Sequence, residues 1–98
     1  MRRTPVAEVT DNQADNRYEM DVKGTVAFMD YRLKDDVIAL VHTEVPEALS
    51  GQGIGSKLAS GVLDDVRRRG LKVEPYCTFV QSYVERHPEY RDIVLPIR

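Results

Sequence analysis

The apolar residues of this chain change their period once, and the change falls on a glycine-rich run. From Tyr18 to Leu33 they return at every second position, and from Ile54 to Val66 at every third or fourth. A period of two places side chains on alternate faces of a strand, whereas a period near 3.6 lays them along one side of a helix. Between the two regimes stands Ser50-Gly51-Gln52-Gly53-Ile54-Gly55-Ser56-Lys57. Such a chain builds strands first and then packs an amphipathic helix on them, with the glycines at the turning point.

The elements follow from that division. Val6 to Thr10 reads as a short strand, closed by Asp11, Asn12, Asp15 and Asn16, whose side chains bond to nearby backbone and favour turns. Arg17 to Lys23 alternates, with Tyr18, Met20 and Val22 on one face, and Gly24 permits a tight turn. Thr25 to Leu33 continues with Ala27, Met29, Tyr31 and Leu33 on one parity, before the polar turn Lys34-Asp35-Asp36. Val37 to Val41 is apolar on both parities, which predicts a strand covered on both faces, ending in His42, Thr43 and Glu44.

Gly53 to Arg69 predicts a helix with Ile54, Leu58, Ala59, Val62, Leu63 and Val66 inward. Outward ion pairs are expected from Asp64 to Arg68 and from Asp65 to Arg69, with Gly70 as the cap. Leu71 to Tyr76 reads as a short strand whose Pro75 suits an edge or a strand end, and an exposed edge there offers pairing to a second chain. Thr78 and Gln81 have capping-box spacing for a last helix that Pro88 stops after His87. The expected fold is α/β, an antiparallel meander followed by helix, strand and helix, in one domain over residues 1–98 with 1–4 flexible.

Composition narrows the partners. A hydrophobic share of 42% and a charged share of 31% describe a globular chain and exclude a disordered or membrane-embedded one. The net charge of -2 supplies no field for a polyanion, so nucleic acid is not an expected partner. Residues 4–8 are not the apolar stretch of an export signal, and the single Cys77 fits a reducing compartment, so a cytoplasmic location is expected. No metal-ligand pattern is present in the sequence. Oligomeric state, monomer or weak dimer, is not legible.

Glycines at a strand-to-helix turn let the first free helix amides converge on an anion, where the helix dipole adds about half a positive charge. Spacing decides which phosphate motif this is. A P-loop requires Lys directly after its last glycine, but Ser56 intervenes between Gly55 and Lys57. A dinucleotide fingerprint requires a third glycine where Ser56 stands, after the first strand of a parallel repeat. Glycine, one free residue and glycine at a helix start is what remains.

On these residues the chain resembles the GNAT N-acetyltransferase superfamily, whose signature of Arg or Gln, two free residues, Gly, one free residue and Gly or Ala maps onto Ser50, Gly53 and Gly55. Ser50 stands where the long side chain is usual. A subgroup of very short GNAT-like domains is closer still, through His42-Thr43-Glu44-Val45-Pro46, the glycine run, and Pro75-Tyr76-Cys77-Thr78-Phe79-Val80 continuing to His87-Pro88-Glu89-Tyr90. The fold this implies is a reduced GNAT core. Its acceptor cleft would be shallow and open, since no segment between Val6 and Val37 has the helical period of the extra helices that full-length members carry.

The resemblance implies acetyl-coenzyme A as acyl donor, with pyrophosphate at Gln52, Gly53, Ile54, Gly55, Ser56 and Lys57. Pantetheine would lie beside Thr43 and Val45, in a cleft where the strand ending near Glu44 leaves the one ending near Cys77, and Phe79 and Tyr83 would flank it. Cys77, at a helix start that favours a thiolate, is a candidate acyl acceptor or a small packing residue. His42 and Glu44, on one strand parity, are candidate bases, with water as the alternative; Tyr83 and Tyr90 are candidate acids or core residues. Direct attack of an amine, with amides near Thr43 to Val45 steadying the oxyanion, and a stepwise route through Cys77 stay open. So do two other functions, a coenzyme A-binding module without turnover and an interaction domain whose loop is only a turn. The acceptor, a small amine or a protein lysine, has no motif.

Overall fold

The computed structural model describes residues 8–96. Five strands form one sheet in the order β1-β2-β3-β4-β5: β1 (Val9–Asn12), β2 (Arg17–Val22), β3 (Thr25–Lys34), β4 (Val37–Glu44) and β5 (Lys72–Pro75). The first four are antiparallel neighbours, as a meander must be, and β5 runs parallel to β4. A parallel neighbour needs a crossover. Helix α1 (Ile54–Arg68) supplies it, and α2 (Thr78–Arg86) follows β5. This is the α/β order of antiparallel meander, helix, strand and helix that the change of period predicts.

Both helices cover the same face of the sheet. Tyr18, Met20, Ala27, Met29, Ile38, Leu40 and Val73 meet Leu58, Val62, Leu63, Val66 and Val80 in one core. The other face carries no helix among the described residues, which corrects the expectation for β4. Ile38 and Leu40 are fully buried, but Val37, Ala39 and Val41 are only half-buried. Apolar residues on both parities therefore mark an open sheet face here, not a second core. Leu33 shares the parity of Tyr31 yet is exposed, next to the turn at Asp35 and Asp36.

Smaller expectations shift for local reasons. The first strand starts later and reaches Asn12, with Val6 and Ala7 outside the described residues, as is the flexible segment expected at 1–4. Asp64 does not pair with Arg68: it accepts a hydrogen bond from the Tyr90 hydroxyl at 2.7 Å, and Arg68 pairs with Asp65 instead. The capping box is absent. Cys77 is the N-cap of α2, and the Gln81 amide donates back to the Pro75 carbonyl at 2.9 Å. Nor is β5 a bare edge, since the Leu95 amide donates to the Val73 carbonyl at 2.8 Å.

Gly61 explains how β1 joins the helix layer. A glycine inside a helix ordinarily costs about 1 kcal/mol relative to alanine. Here a Cβ would lie 2.5 Å from Val9 Cγ2 and 2.9 Å from Val9 Cβ, so the missing side chain lets β1 close on α1. Gly61→Ala is expected to lower stability by about 1–2 kcal/mol in urea unfolding, because overpacking outweighs the propensity gain. Combining it with Val9→Ala should recover part of the loss, whereas a stabilised Gly61→Ala would show that this contact does not hold β1.

Candidate functional site

The chemistry-bearing residues from His42 onward converge where β4 and β5 part. Their parallel ladder ends at Leu40 opposite Pro75. The Leu40 carbonyl then accepts from both the Tyr76 and Cys77 amides, each at 3.0 Å, which closes the ladder. Beyond that point β4 continues to Glu44 along β3 alone, and β5 gives way to α2. A V-shaped opening results, with residues 41–45 on one wall and the start of α2 on the other.

An irregularity in β4 lies at the same place. Tyr31 pairs with Leu40 but Asp30 pairs with His42, so Val41 is an extra residue on β4. A bulge reverses which face the following side chains take. Before it, Leu40 faces the helices; after it, Thr43 does so, opposite the buried Met29, while His42 and Glu44 turn to the open face opposite Asp30 and Phe28.

On the helix side, Thr43 Oγ1 and Cys77 Sγ lie 3.3 Å apart in hydrogen-bonding contact across the opening. Cys77 is half-buried at the N-terminus of α2. On the open side, His42 Nε2 and Glu44 Oε1 are 3.1 Å apart, and both side chains are more than half exposed. A carboxylate only accepts, so this contact requires the proton on His42 Nε2 and leaves Nδ1 as the basic nitrogen. His42 also lies beside Phe28, over which Arg17 is stacked.

The glycine run closes one end of the opening. A short turn at Glu47–Leu49, anchored by the buried Leu49, delivers the chain to it; the sequence reading has no element there. Gly53 is the N-cap of α1 with φ of 71°, and no side chain caps the helix. The first intrahelical bond runs from the Lys57 amide to the Gly53 carbonyl at 3.1 Å. The amides of Ile54, Gly55 and Ser56 therefore stand ahead of the helical ladder, without an acidic neighbour in the first turn. Gln52, Ser56 and Lys57 are exposed around them, so a phosphate group fits this uncapped end. Ile54 offers its amide alone, because its side chain is in the core.

Gly55 serves a different purpose from Gly53. Its φ is ordinary, but a Cβ there would lie 2.9 Å from Phe79 Cζ and 3.6 Å from Val45 Cγ2. Gly55, Phe79 and Val45 thus form one seam at the mouth of the opening. Tyr83, one turn further along α2, is buried and stacked on His87 at 4.0 Å between ring centres, a packing arrangement. Tyr90 is committed to Asp64, and burial first and that hydrogen bond second push its phenol pKa up; it does not face the opening. Ser50, where the superfamily pattern has Arg or Gln, is exposed.

A larger hollow of about 840 Å³ lies between β1 and α1 and touches Ser56 and Lys57 at its rim. Thr43, Cys77 and His42 do not line it. Among the described residues no cluster of three or more His, Cys, Asp or Glu side chains is placed to hold a metal, and no helix is long and apolar enough to cross a membrane.

The comparisons with known proteins agree with this fold. The family profile of the GCN5-related N-acetyl-transferases matches residues 17–93. Protein NATD1 of Homo sapiens is 42% identical over 52 residues, covering 53% of this chain and 46% of that protein. Protein NATD1 of Danio rerio is 38% identical over 60 residues, covering 59% and 54%. This chain thus spans about half the length of these relatives. A solution structure of a GCN5-like protein from Staphylococcus aureus superposes with a TM-score of 0.70 at 29% identity, covering 94% of this chain and 91% of that one. With the profile spanning β2 to β5, the uncapped glycine turn and both helices, this chain belongs to the GCN5-related N-acetyltransferase family.

Proposed function

We propose that this chain is an acetyl-coenzyme A-dependent N-acetyltransferase that works by direct transfer to an amine arriving from the open face of the sheet. The observation that carries this reading is the opening beyond Leu40, with the uncapped start of α1 at one end and the His42–Glu44 pair and Cys77 on its two sides. The amides of residues 54–56 and Lys57 would hold the pyrophosphate. The backbone of β4 beyond Leu40 has no β5 partner, so it offers main-chain groups to pantetheine and to the oxyanion that forms on the acetyl carbonyl.

In the transfer, the amine nitrogen forms a bond to the acetyl carbon, the carbon–sulfur bond breaks, and the coenzyme leaves as a thiolate that takes a proton from water. His42 Nδ1 accepts the proton lost by the amine, and Glu44 orients the ring from Nε2. Cys77 lies on the helix side, against Thr43, and the His42–Glu44 pair lies on the side open to an acceptor. That division favours direct transfer over a Cys77 thioester.

The test is release of coenzyme A thiol in the presence of an alkylamine. His42→Ala should lower kcat about a hundredfold, at the lower end of general-base effects because the site is exposed. Cys77→Ala should lower it less. An inactive Cys77→Ala, together with an acetyl adduct on Cys77 in the intact mass of wild type, would replace direct transfer by the stepwise route.

A further inference from the structure

We infer that the acceptor lies in a groove on the open sheet face between β4 and β5, and that this groove selects an elongated diamine or polyamine. This deepens the acetyl-transfer reading above and rests on it. The groove encloses about 460 Å³. Its floor is Val37 and Ala39, its β5 rim Glu74 and Tyr76, and its far end the turn at Asp35 and Asp36; Arg32 and Lys34 form the β3 rim.

Register brings the near end of this groove beside the opening. Ala39 pairs with Glu74, and the next pair, Leu40 with Pro75, is the last before the strands part. Tyr76, whose amide helps to close the ladder on Leu40, is exposed on the rim. The groove therefore starts at Ala39 and Tyr76, next to the opening, and runs down the β4–β5 seam on the face that the bulge at Val41 gives to His42 and Glu44.

Shape and charge define the occupant. A floor of Val37 and Ala39 suits methylene groups and offers nothing to a polar chain. Three of the five charged groups of the lining are carboxylates, and Asp30 and Glu44 add two more beside the opening. Among the described residues, Asp35, Asp36 and Glu74 take part in no ion pair, and neither do Arg32 and Lys34 on the opposite rim, whereas Arg17, stacked on the Phe28 ring beside His42, is engaged by Glu19. Strand rise fixes the spacing: Ala39 lies about 7 Å and Val37 about 13 Å from Val41. Two amines joined by four carbons are about 6 Å apart when extended. With one amine at the opening, the second ammonium of such a molecule reaches Glu74, and a third on a longer chain reaches Asp36. A monoamine leaves these carboxylates unused, and an amino acid would instead need Arg32 and Lys34.

Initial-rate transfer with butylamine, putrescine, spermidine, γ-aminobutyrate and a lysine-containing peptide tests this. Putrescine should exceed butylamine in kcat/KM by about tenfold, which corresponds to about 1.4 kcal/mol. Glu74→Gln should remove most of that preference and Arg32→Gln should increase it. Equal use of butylamine and putrescine, a better rate with γ-aminobutyrate or the peptide, or a preference that survives Glu74→Gln would each overturn the inference. Acetyl-coenzyme A titration of the same samples separates the two levels: coenzyme binding without a putrescine preference overturns the acceptor proposal alone, and no coenzyme binding overturns the transferase reading with it.

Discussion

A Gly53→Val/Gly55→Val variant is expected to bind acetyl-coenzyme A at least about a hundredfold more weakly than wild type, a loss of about 2.7 kcal/mol, in calorimetric titration. Two separate obstacles combine. Gly53 holds φ at 71°, where an L-residue costs about 1–2 kcal/mol and a β-branched one more. Relief of that strain rotates the N-cap and scatters the amides of residues 54–56 that would converge on pyrophosphate. Gly55 fails differently, since any side chain drives into Phe79 Cζ, 2.9 Å from its Cβ position, and opens the seam with Val45. The core side of α1 is untouched, so thermal melting should show a folded protein, and Gly53→Ala serves as a milder companion. Affinity within threefold of wild type in a folded double variant would remove the glycine run from the coenzyme site.

Arg69→Ala is expected to cost about 2–3 kcal/mol in urea unfolding at neutral pH, in the range of a charge-assisted hydrogen bond lost from a part-buried network. Arg69 Nη1 donates to Asp11 at 3.1 Å, to the Tyr18 hydroxyl at 3.0 Å and to Asp65 at 3.2 Å. Tyr18 in turn donates to Asp65 at 2.7 Å, and Tyr31 to Asp11 at 2.6 Å. Removing the cation leaves two largely shielded carboxylates together, and the network that ties β1, β2 and β3 to the end of α1 loosens. The same network sets an alkaline limit. Burial first, and the bond to Asp11 second, push the Tyr31 phenol from 10.0 up to about 12. Above the ordinary phenol range the unfolded chain gives up this proton before the folded one does. Stability should hold below pH 10 and fall as pH rises toward 12, and Tyr31→Phe should flatten that fall. A loss under 1 kcal/mol for Arg69→Ala would mark the network as solvent-screened.

Which parts of this protein were legible in its sequence follows the range of the interaction concerned. The alternation of Tyr18, Met20, Ala27 and Met29 and the helical stripe from Ile54 to Val66 are local patterns, and strands, helix and inward faces follow from them. The glycine turn was legible too, because the left-handed φ of Gly53 is a property of one residue in one chain segment. The apolar run at Val37–Val41 misled for the same reason: periodicity reports that both parities are apolar, but not how many helix layers the rest of the chain provides. The pairing at Thr78 and Gln81 had the right spacing for a capping box, yet the ladder from Leu40 begins the helix at Cys77 and sends Gln81 back to Pro75.

The candidate site divides along the same line. The sequence by itself determined the residue types: a glycine-rich turn before a helix, a histidine and a glutamate two apart on a strand, and one cysteine before the last helix. Only the tertiary structure decided their sides. The extra residue Val41 turns His42 and Glu44 to the open face and Thr43 toward Cys77, and the ladder ends at Leu40 where β5 would otherwise fill the gap. Likewise nothing in the local pattern shows that the missing side chains of Gly55 and Gly61 leave room for Phe79 and Val9. Bulges, ladder ends and close approaches are agreements between segments far apart in the chain, and hydrophobic period, being local, carries no record of them.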